Sequence, residues 1–462
     1  MTETAPLPES TLIRICRRPV PERLVRRARL HLLDWLGCIL AARHCDAARA
    51  MARAVGPDDG DLLRAGLAST PHDAQRAALC FGTLGNVLEM DDLDRASILH
   101  PGDTICAAAL AAALERPVPG PALLTALVRG YEAAIRIGRV AASGGYTPFY
   151  NSGTCGVFGA ALAAAEVRTL AEAQIADVLA QAGMQAAGIW QCRLEPGFSK
   201  QLATAQAARA GVFAAELAAA GFTGPRAILT GEMGFFASYY PGADPARLTD
   251  APGPQDWALS EMSFKPFPAC RHTHPAISAL VEIRPSIAPA GVQRVDIHTY
   301  RAAIEFCDAP HPTTPGAARF SLQHAAAIAL LRGAPSLADF EGDALSDPTI
   351  AALRDKVHLA TDPGIDAAFP RGYGARITVT GSDGATESAA CPEAWGDPEN
   401  PMSEADLVAK FLANARHGGV GADAAEALRD AVLALPDAPD TSRLRDAFAA
   451  ALSPVPEYAR CP

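Results

Sequence analysis

The chain has 462 residues, 49% hydrophobic and 20% charged, a composition that excludes a disordered or fibrous protein and allows a sizeable core. Its net charge of −11 argues against a nucleic-acid-binding protein and against docking on anionic membranes. A chain of this length predicts two or three domains. Residues 1–10 show no export signal and the eleven cysteines form no Cys-x-x-Cys pair, so we expect a cytoplasmic protein with reduced thiols.

Residues 11–260 carry one predicted helix after another. Their apolar residues recur at helical spacing or form near-continuous runs, and alanine, the strongest helix former, is abundant. The run at 30–40 is so apolar that we expect a helix buried on most of its sides. The other predicted helical segments are residues 78–88, 105–114, 123–137, 157–165, 175–184 and 201–219.

The pattern changes near residue 266. Residues 292–300 alternate apolar and polar residues, as a half-buried strand does. Residues 375–380 and 385–390 flank a Gly-Ser-Asp-Gly turn at 381–384 that predicts a hairpin. One helix, 317–331, is expected among the strands. The four candidate strands are residues 292–300, 356–361, 375–380 and 385–390.

Helices return in the C-terminal part of the chain. Ser403 and Asp406 have the spacing of a helix-capping box, and residues 403–451 are rich in Ala and Leu. The predicted fold class is therefore mainly α with an inserted α+β domain. We expect a large helical domain formed by residues 1–265 and 397–462, with a smaller α+β domain at 266–396.

Lysine is rare in this chain, and two lysines occupy conspicuous positions. The chain has four lysines among its 40 basic residues. Lys200 opens a predicted helix, and Lys265 lies at the predicted domain junction. A compact ammonium at each position suits binding of an anionic group, and both could face a cleft between the two domains. The alternative is that both are solvated surface lysines.

An acidic segment precedes a histidine at the start of the next predicted helix. Glu89, Asp91, Asp92 and Asp94 crowd the predicted end of the 78–88 helix, where negative charge is unfavourable. His100 follows, and a histidine beside carboxylates can act as a general acid or base near neutral pH. The alternatives are a divalent-metal site and a solvated loop with a capping histidine.

Two further segments contain candidate binding residues. Residues 149–159 are rich in Gly, Ser and Thr and open an Ala-rich helix, which suits a carboxylate or phosphate, although close helix packing explains the glycines equally well. Arg193 could bind a carboxylate with two hydrogen bonds or form a surface ion pair. Arg271 lies beside a His-x-His sequence, which we interpret as packed histidines rather than metal ligands.

The ordered set of these motifs resembles the MmgE/PrpD family, which includes 2-methylcitrate dehydratase, cis-aconitate decarboxylase and iminodisuccinate epimerase. The resemblance extends over nearly the whole chain, and its site positions match Asp91, Asp92, His100, Lys200 and Lys265. The segments that carry it are residues 32–37, 82–86, 100–101, 130–132, 153–156, 221–225, 265–268, 273–275, 318–323 and 400–403.

The resemblance implies a helical domain assembled from both termini, an inserted α+β domain with the site between them, a homodimer, no cofactor and no metal. It implies a small di- or tricarboxylate substrate. Several positions depart from the family's pattern: Glu89 replaces an Asp, Tyr150 stands where a catalytic His is common, Ala203 replaces another His, and His324 stands where Tyr is frequent.

These residues together predict a cofactor-independent, dehydratase-like lyase that abstracts a proton next to a carboxylate. Lys200 and Lys265 would hold carboxylates and stabilise an enolate-like intermediate, His100 would transfer a proton with Asp91 or Asp92 orienting it, and Tyr150 would serve as the second proton donor. The predicted substrate-binding residues are Glu89, Arg193, Arg271 and His324. The alternatives are an epimerase or isomerase, a decarboxylase, a metal-dependent enzyme, and a carboxylate-binding protein without activity.

Overall fold

The computed structural model describes residues 7–55, 60–145, 147–195, 197–251, 253 and 256–453. Most of the N-terminal segment on which the expected cytoplasmic localisation depends, residues 1–6, lies outside the described part. The chain divides into two compact units. We call them the helical unit (Met1–Val87, Asp91–Met262 and Ser403–Pro462) and the sheet unit (Leu88–Met90 and Ser263–Met402).

The helical unit contains fifteen of the α-helices found in the described residues, and it draws them from both ends of the chain. The first twelve are α1 Pro8–Cys16, α2 Glu22–Ala41, α3 Asp46–Val55, α4 Leu62–Ser69, α5 Ala74–Gly82, α6 Pro101–Glu115, α7 Gly120–Ser143, α8 Asn151–Thr154, α9 Gly156–Val167, α10 Glu172–Gly183, α11 Ser199–Ala219 and α12 Phe235–Tyr239. The C-terminal three are α19 Glu404–His417, α20 Ala422–Leu433 and α21 Ser442–Leu452.

The sheet unit contains the remaining elements, and it has its own apolar core. Its helices are α13 His274–Ile283, α14 Arg301–Cys307, α15 Pro315–Arg319, α16 Leu322–Arg332, α17 Pro348–Arg354 and α18 Pro363–Ala368. Its strands are β1 Val292–Thr299, β2 Val357–Thr361, β3 Ala375–Gly381 and β4 Thr386–Cys391.

The four strands form one mixed sheet in the order β2-β1-β3-β4. β1 pairs in parallel with β2, with Ile297 opposite Leu359, and antiparallel with β3, with Ile297 opposite Ile377. The predicted hairpin is confirmed, because β3 and β4 pair antiparallel and the Gly381 N–H donates to the Ala385 carbonyl at 2.8 Å. Helices α13 and α16 pack against this sheet and against each other.

Two helices, α6 and α9, form the buried centre of the helical unit. Fourteen of the fifteen residues of α6 and eleven of the twelve residues of α9 are buried. Both helices consist largely of Ala, Gly and Leu, and such small side chains let α7 and α11 approach closely on several sides. A helix that is apolar all round belongs in the interior of a protein. The sequence predicted such burial for residues 30–40, and residues 31–41 of α2 are all buried.

Three of the predictions about elements differ from the structure. One helix was expected in the α+β part, but the sheet unit contains six, α13 to α18. Helix α5 ends at Gly82 rather than continuing to residue 88, so the acidic residues do not crowd a helix end but lie in a buried turn. The single helix predicted at 317–331 is interrupted at Phe320 and Ser321, where the Ser321 hydroxyl accepts a hydrogen bond from the His324 N–H and starts α16. In contrast, the predicted capping box of α19 is present, with both Ser403–Asp406 hydrogen bonds formed.

The mainly α fold class with a small α+β part is confirmed. The unit boundaries fall at Met262/Ser263 and Met402/Ser403, beside the sequence-based boundaries at 266 and 397. No helix in the described ranges combines the length and the apolar character that a membrane span requires.

Candidate active site

A buried histidine–aspartate pair lies where the chain enters α6. His100 precedes Pro101, the first residue of α6, and its Nδ1 lies 2.9 Å from Asp91 Oδ2. The Asn86 side-chain amide donates to the other oxygen of Asp91 at 2.7 Å and also lies 3.3 Å from His100 Nδ1. The His100 backbone N–H donates to the Ser152 hydroxyl at 3.0 Å, which fixes the residue at both its backbone and its ring.

The Asp91 contact determines which ring nitrogen of His100 is available for chemistry. A carboxylate only accepts hydrogen bonds, so the His100 Nδ1 must carry the hydrogen that points at Asp91. This leaves Nε2 as the ring nitrogen that can accept a proton from another molecule. His100 is 8% exposed and therefore held in a largely dry environment that remains open at one side. A histidine in this arrangement is suited to act as a general base.

Asp92 belongs to a different hydrogen-bond network from Asp91. The His31 Nδ1–H donates to Asp92 Oδ2 at 2.6 Å and the Tyr131 hydroxyl donates to the same oxygen at 2.7 Å. The Gly102 N–H donates to Oδ1 at 3.0 Å. Asp92 thus ties α2 and α7 to the start of α6 through three donors. Of the two aspartates considered from the sequence, the one that orients His100 is Asp91.

Burial determines the charge state of the partners of Asp92. It lowers the pKa of His31 from the ordinary value, although the hydrogen bond to Asp92 opposes the change. Burial and the negative charge of Asp92 raise the pKa of Tyr131 well above its usual range. His31 and Tyr131 are therefore neutral donors to one carboxylate around neutral pH, which gives a network suited to positioning rather than to proton transfer.

Lys200 and Tyr150 lie near each other at the start of α11. The Lys200 ammonium is 6.0 Å from the centre of the Tyr150 ring, and the Trp190 ring stacks on the Tyr150 ring with their centres 4.5 Å apart. Tyr150 is almost fully buried, whereas Lys200 is half-buried. A lysine at a helix N-terminus opposes the helix dipole, so its position is easier to explain by an anionic partner than by helix stability.

A cavity of about 480 Å³ adjoins these residues. Its wall includes Gly153, Gly188, Ser199 and Cys192, and the positive charge of Lys200 acts on the Cys192 thiol. Burial nevertheless raises the pKa of that thiol, so Cys192 is not activated as a nucleophile. Arg193 follows it in a short 3-10 turn, Trp190–Arg193, and is half-buried.

In the sheet unit, Lys265 and Glu89 form a buried ion pair. The Lys265 Nζ lies 3.1 Å from Glu89 Oε2, and the lysine side chain is fully buried. Glu89 adopts a left-handed backbone conformation with φ of 54°, which costs energy in any residue other than glycine. A strained residue that pairs with a buried ammonium is typical of a functional position.

Two other residues predicted to bind substrate have extensive contacts within the sheet unit. The buried Arg271 guanidinium is ion-paired with Asp397 and donates to the Trp395 carbonyl at 3.0 Å. His324 is buried in α16, and its Nε2 lies 2.8 Å from the Asp339 carbonyl oxygen. Burial lowers the pKa of His324, so it is neutral around neutral pH. These contacts are those expected of residues that hold a fold together.

Within the described residues, one group of acidic side chains comes close enough together to share a metal ion. It consists of Glu393, Asp397 and Glu399, whose carboxylate oxygens lie within 4.8 Å of one another. Asp397 already pairs with Arg271 and accepts a hydrogen bond from the Ser263 hydroxyl at 2.5 Å. The metal-dependent alternative that was raised for the segment 89–100 requires ligands from that segment, and this acidic group does not include them.

The sequence did not single out His31, Asn86, Tyr131 or Ser152 as residues of the site. His31 lies 61 residues from Asp92 along the chain, and Ser152 lies 52 residues from His100. Periodicity placed His31 in a buried helix, where a lone histidine carries no functional signal. A histidine on the buried face of α2 and a tyrosine on that of α7 are the signs of this polar network in the sequence, and they do not identify its centre.

Comparisons with known proteins point to one family. The profile of the MmgE/PrpD N-terminal domain matches residues 14–248, and that of the MmgE/PrpD C-terminal domain matches residues 267–437. The chain is 29% identical over 355 residues to the cis-aconitate decarboxylase of Homo sapiens, covering 73% of this chain and 72% of that protein. It is 25% identical to the cis-aconitate decarboxylase-like protein oryM of Aspergillus oryzae, covering 92% of this chain and 93% of the relative. A 2-methylcitrate dehydratase of Salmonella typhimurium is 30% identical over 139 residues, or 28% of this chain and 29% of that enzyme.

Proposed function

This chain belongs to the MmgE/PrpD family and is an enzyme of the lyase or isomerase kind, and on that premise we propose that it is a dehydratase-like lyase acting on a small di- or tricarboxylate. The proposed step removes a proton from a carbon next to a substrate carboxylate and expels a β-hydroxyl group as water. The observation that carries the proposal is the buried contact between His100 and Asp91, with Asn86 bound to the same carboxylate.

His100 is the proposed general base. Its Nε2 takes the proton, the electron pair of the broken C–H bond becomes the new C=C bond, and the C–O bond to the β-hydroxyl breaks. The leaving hydroxide takes a proton from a second acid and departs as water. Tyr150 is the candidate for that acid, because it lies near the Lys200 ammonium and because a phenol serves more readily as an acid than as a base.

Lys200 and Lys265 are the proposed contacts of substrate carboxylates. A fixed ammonium stabilises the negative charge that develops on a carboxylate when the adjacent carbon loses its proton, and such a group is worth about 3–4 kcal/mol in the transition state. Arg193 remains a proposed additional contact. The internal contacts of Arg271 support a structural role for this residue. His324 has one ring hydrogen bond, through Nε2, while its buried Nδ1 has no partner among the described residues, and neither residue has a role in the proposed mechanism.

Decarboxylation is the second candidate, because the two relatives that match over most of this chain are a cis-aconitate decarboxylase and a protein named as similar to it. In that reaction the C–C bond to a carboxylate breaks, carbon dioxide leaves, and the remaining electron pair takes a proton. The same acid–base groups could serve both reactions. They could also serve an epimerase, in which the carbon is reprotonated on its opposite face.

Proton NMR in D₂O tests the proposal directly. The purified protein is incubated with 2-methylcitrate, citrate, cis-aconitate or iminodisuccinate, with and without exhaustive chelation. Loss of a Cα–H signal together with new vinyl signals supports elimination, and vinyl signals with bicarbonate release support decarboxylation. Exchange without new signals indicates epimerisation. Activity that disappears on chelation would favour the metal-dependent alternative, and absence of exchange with every compound would favour a protein that only binds carboxylates.

A further inference from the structure

Asp103 is a fully buried carboxyl group close to the proposed base. It lies in the first turn of α6, three residues after His100, and its exposed fraction is 0%. Its Oδ1 accepts a hydrogen bond from Trp35 Nε1 at 3.4 Å. Its Oδ2 has no hydrogen-bond partner in the part of the chain that the structure describes, and no ion pair with Asp103 occurs there.

The usual reason for an acid in the first turn of a helix does not apply to Asp103. Such an acid normally accepts the backbone N–H of the residue before the helix, but the His100 N–H is already bound to Ser152. The Asp103 side chain instead points inward, accepts a hydrogen bond from Trp35 on α2, and lies near the Thr204 hydroxyl on α11 and the Gly85 backbone. This inward position requires another explanation.

The contact with Gly85 links Asp103 to the proposed active site. A Cβ atom on Gly85 would come within 2.1 Å of Asp103 Oδ1, so the close approach depends on glycine at this position. The next residue, Asn86, binds Asp91 and lies against His100. Asp103 therefore supports, through one backbone contact, the residue that joins the members of the histidine–aspartate pair.

We propose that Asp103 is a positioning residue that exists as a neutral carboxylic acid at neutral pH, holds residues 85–86 against α6, and disturbs the Asp91–His100 pair when it ionises at alkaline pH. This proposal goes beyond the proposed function. The expected effect of Asp103 on catalysis rests on that function, but its expected charge state and its effect on stability do not.

The surroundings of Asp103 explain why it would keep its proton. A buried carboxyl without a cation loses the hydration of its charged form, and this raises the pKa of Asp103 from 3.8 to about 8, with the negative charge of Asp91 adding to the effect. The Trp35 N–H and the neighbouring polar groups of Thr204 and Gly85 oppose the shift. The titratable groups on the elements packed around α6 include His31 and Asp34 on α2, the latter paired with Lys410, Cys80 on α5, Cys106 on α6, Tyr131 on α7, Cys155 before α9 and Lys200 on α11.

Ionised Asp103 would change the chemistry of His100. A second negative charge near Asp91 repels that carboxylate and so weakens the contacts by which Asp91 and Asn86 hold the His100 ring. It also disfavours an anionic substrate nearby. The rate of proton abstraction should therefore fall above about pH 8, and this fall should shift to higher pH when residue 103 cannot ionise.

Thermal unfolding of Asp103→Asn tests the charge state without any substrate. The folded protein keeps the Asp103 proton up to about pH 8, whereas an unfolded chain loses it near pH 4, so the wild type loses stability progressively between these values. Asn cannot ionise and avoids this loss. We expect the Tm of Asp103→Asn minus that of the wild type to rise between pH 5 and pH 9. The same substitution at the exposed Asp423 of α20 is the control, for which that difference should stay constant.

A Tm difference for Asp103→Asn that does not change with pH would overturn the proposal. If this variant does not fold, infrared spectroscopy of the wild type in D₂O replaces it. A carbonyl band of a protonated carboxyl that is present at pH 7 and lost by pH 9 supports the proposal, and its absence at pH 7 refutes it. The D₂O exchange assay adds the functional readout: the alkaline limb of the normalised pH–rate profile should shift to higher pH in Asp103→Asn but not in Asp423→Asn. If the Tm difference depends on pH but this limb does not shift, Asp103 is a neutral carboxyl at neutral pH, and the proposed effect on the Asp91–His100 pair is refuted.

Discussion

Asp91 and Asp92 are adjacent in the sequence but have different partners, and this difference separates catalysis from positioning. Asp91 contacts His100, whose ring is the proposed acceptor of the substrate proton. Asp92 binds His31 and Tyr131, which burial keeps neutral. The proposed chemistry therefore depends on His100 and Asp91, whereas Asp92 stabilises the packing of α2 and α7 around the start of α6.

Replacement of His100 tests its role as the base. We expect His100→Gln to lower the rate of Cα–H exchange by about 10²-fold or more, because general base catalysis contributes a factor of this size. The exchange assay in D₂O measures it. His311→Gln is the control, since His311 is exposed and lies 3.8 Å from the equally exposed Asp355. Near-normal exchange in His100→Gln would assign the base to another residue.

The two aspartates should respond differently to the same substitution. Asp91→Asn removes the carboxylate that fixes the His100 tautomer, so we expect kcat to fall by about 10²-fold with little change in Tm. Asp92→Asn removes the charged acceptor of three buried donors, so we expect a lower Tm, with a loss of about 1–3 kcal/mol in the free energy of unfolding. Calorimetry and the exchange assay on both variants measure these effects. The reverse pattern would exchange the two roles.

Part of this site could be predicted from the sequence. Carboxylates followed by His100 within one short segment predicted an acid–base site, because residues so close along the chain meet in a turn. The choice between Asp91 and Asp92 could not be made, since it depends on the direction each side chain takes inside that turn. His31 was not predicted as a site residue, because a hydrogen bond across 61 residues has no local signal. Asn86 lies only five residues before Asp91, but the predicted helix at 78–88 included it and so concealed the turn that brings it to the site.

Among the helices, α7 and α9 show how small residues determine a crossing. A Cβ atom on Gly159 would lie 2.5 Å from the Gly130 carbonyl oxygen and 2.7 Å from the Ala134 Cβ, and one on Gly130 would lie 2.8 Å from the Gly159 carbonyl oxygen. The two helices therefore touch through their backbones. Glycine weakens an isolated helix, so its presence in both partners indicates that this contact is worth more than helix propensity.

Gly159→Ala should separate these two effects. The substitution favours the helical conformation, but the added methyl group overlaps with α7, so we expect a net loss of about 1–3 kcal/mol in the free energy of unfolding measured with urea. Gly316→Ala in α15 is the matched control, because nothing lies within 4 Å of the position of its Cβ. That variant should be unchanged or slightly more stable. Equal behaviour of the two variants would show that the α7–α9 crossing can relax.

The limits of prediction for whole elements have physical causes. All four strands were predicted to within two residues at either end. The prediction of β1 follows from its alternating residues, and that of β3 and β4 from the turn that joins them. The end of α5 was placed six residues too late, since Leu84, Val87 and Leu88 continue the apolar pattern of the helix although they lie in a turn. Periodicity reports burial, and a buried turn has the same composition as a buried helix.

At the scale of the whole molecule, the helical unit joins the two ends of the chain. Helix α19 packs against α2, where Gly37 allows the Phe411 backbone to approach. The same contact holds a buried ion pair, with Lys410 Nζ 2.6 Å from Asp34 Oδ1. The sequence predicted helices at both ends, but not which helix pairs with which, because the apolar stripes of α2 and α19 would fit several partners. The sequence-based domain boundaries remain a prediction.

The ion pair between α2 and α19 makes the contribution of this helix contact to stability depend on pH in a predictable way. Lys410→Met leaves Asp34 buried without its cation, and we expect a loss of about 3–5 kcal/mol in the free energy of unfolding at pH 8. Burial already raises the pKa of Asp34 to about 6, and removing the lysine raises it further. A carboxyl with a raised folded-state pKa loses stability as the pH rises, so the cost should be smaller at pH 5 than at pH 8. Urea unfolding at both pH values measures it.

The double variant Asp34→Asn/Lys410→Met is the matched control for that experiment. It removes both charges, so no isolated carboxylate remains to be buried, and its free energy of unfolding should lie closer to the wild type than that of Lys410→Met at pH 8. The difference between the single and double variants should shrink at pH 5, where Asp34 is largely protonated. If the double variant is as unstable as Lys410→Met at both pH values, packing of the lysine stem rather than charge pairing holds α19 against α2.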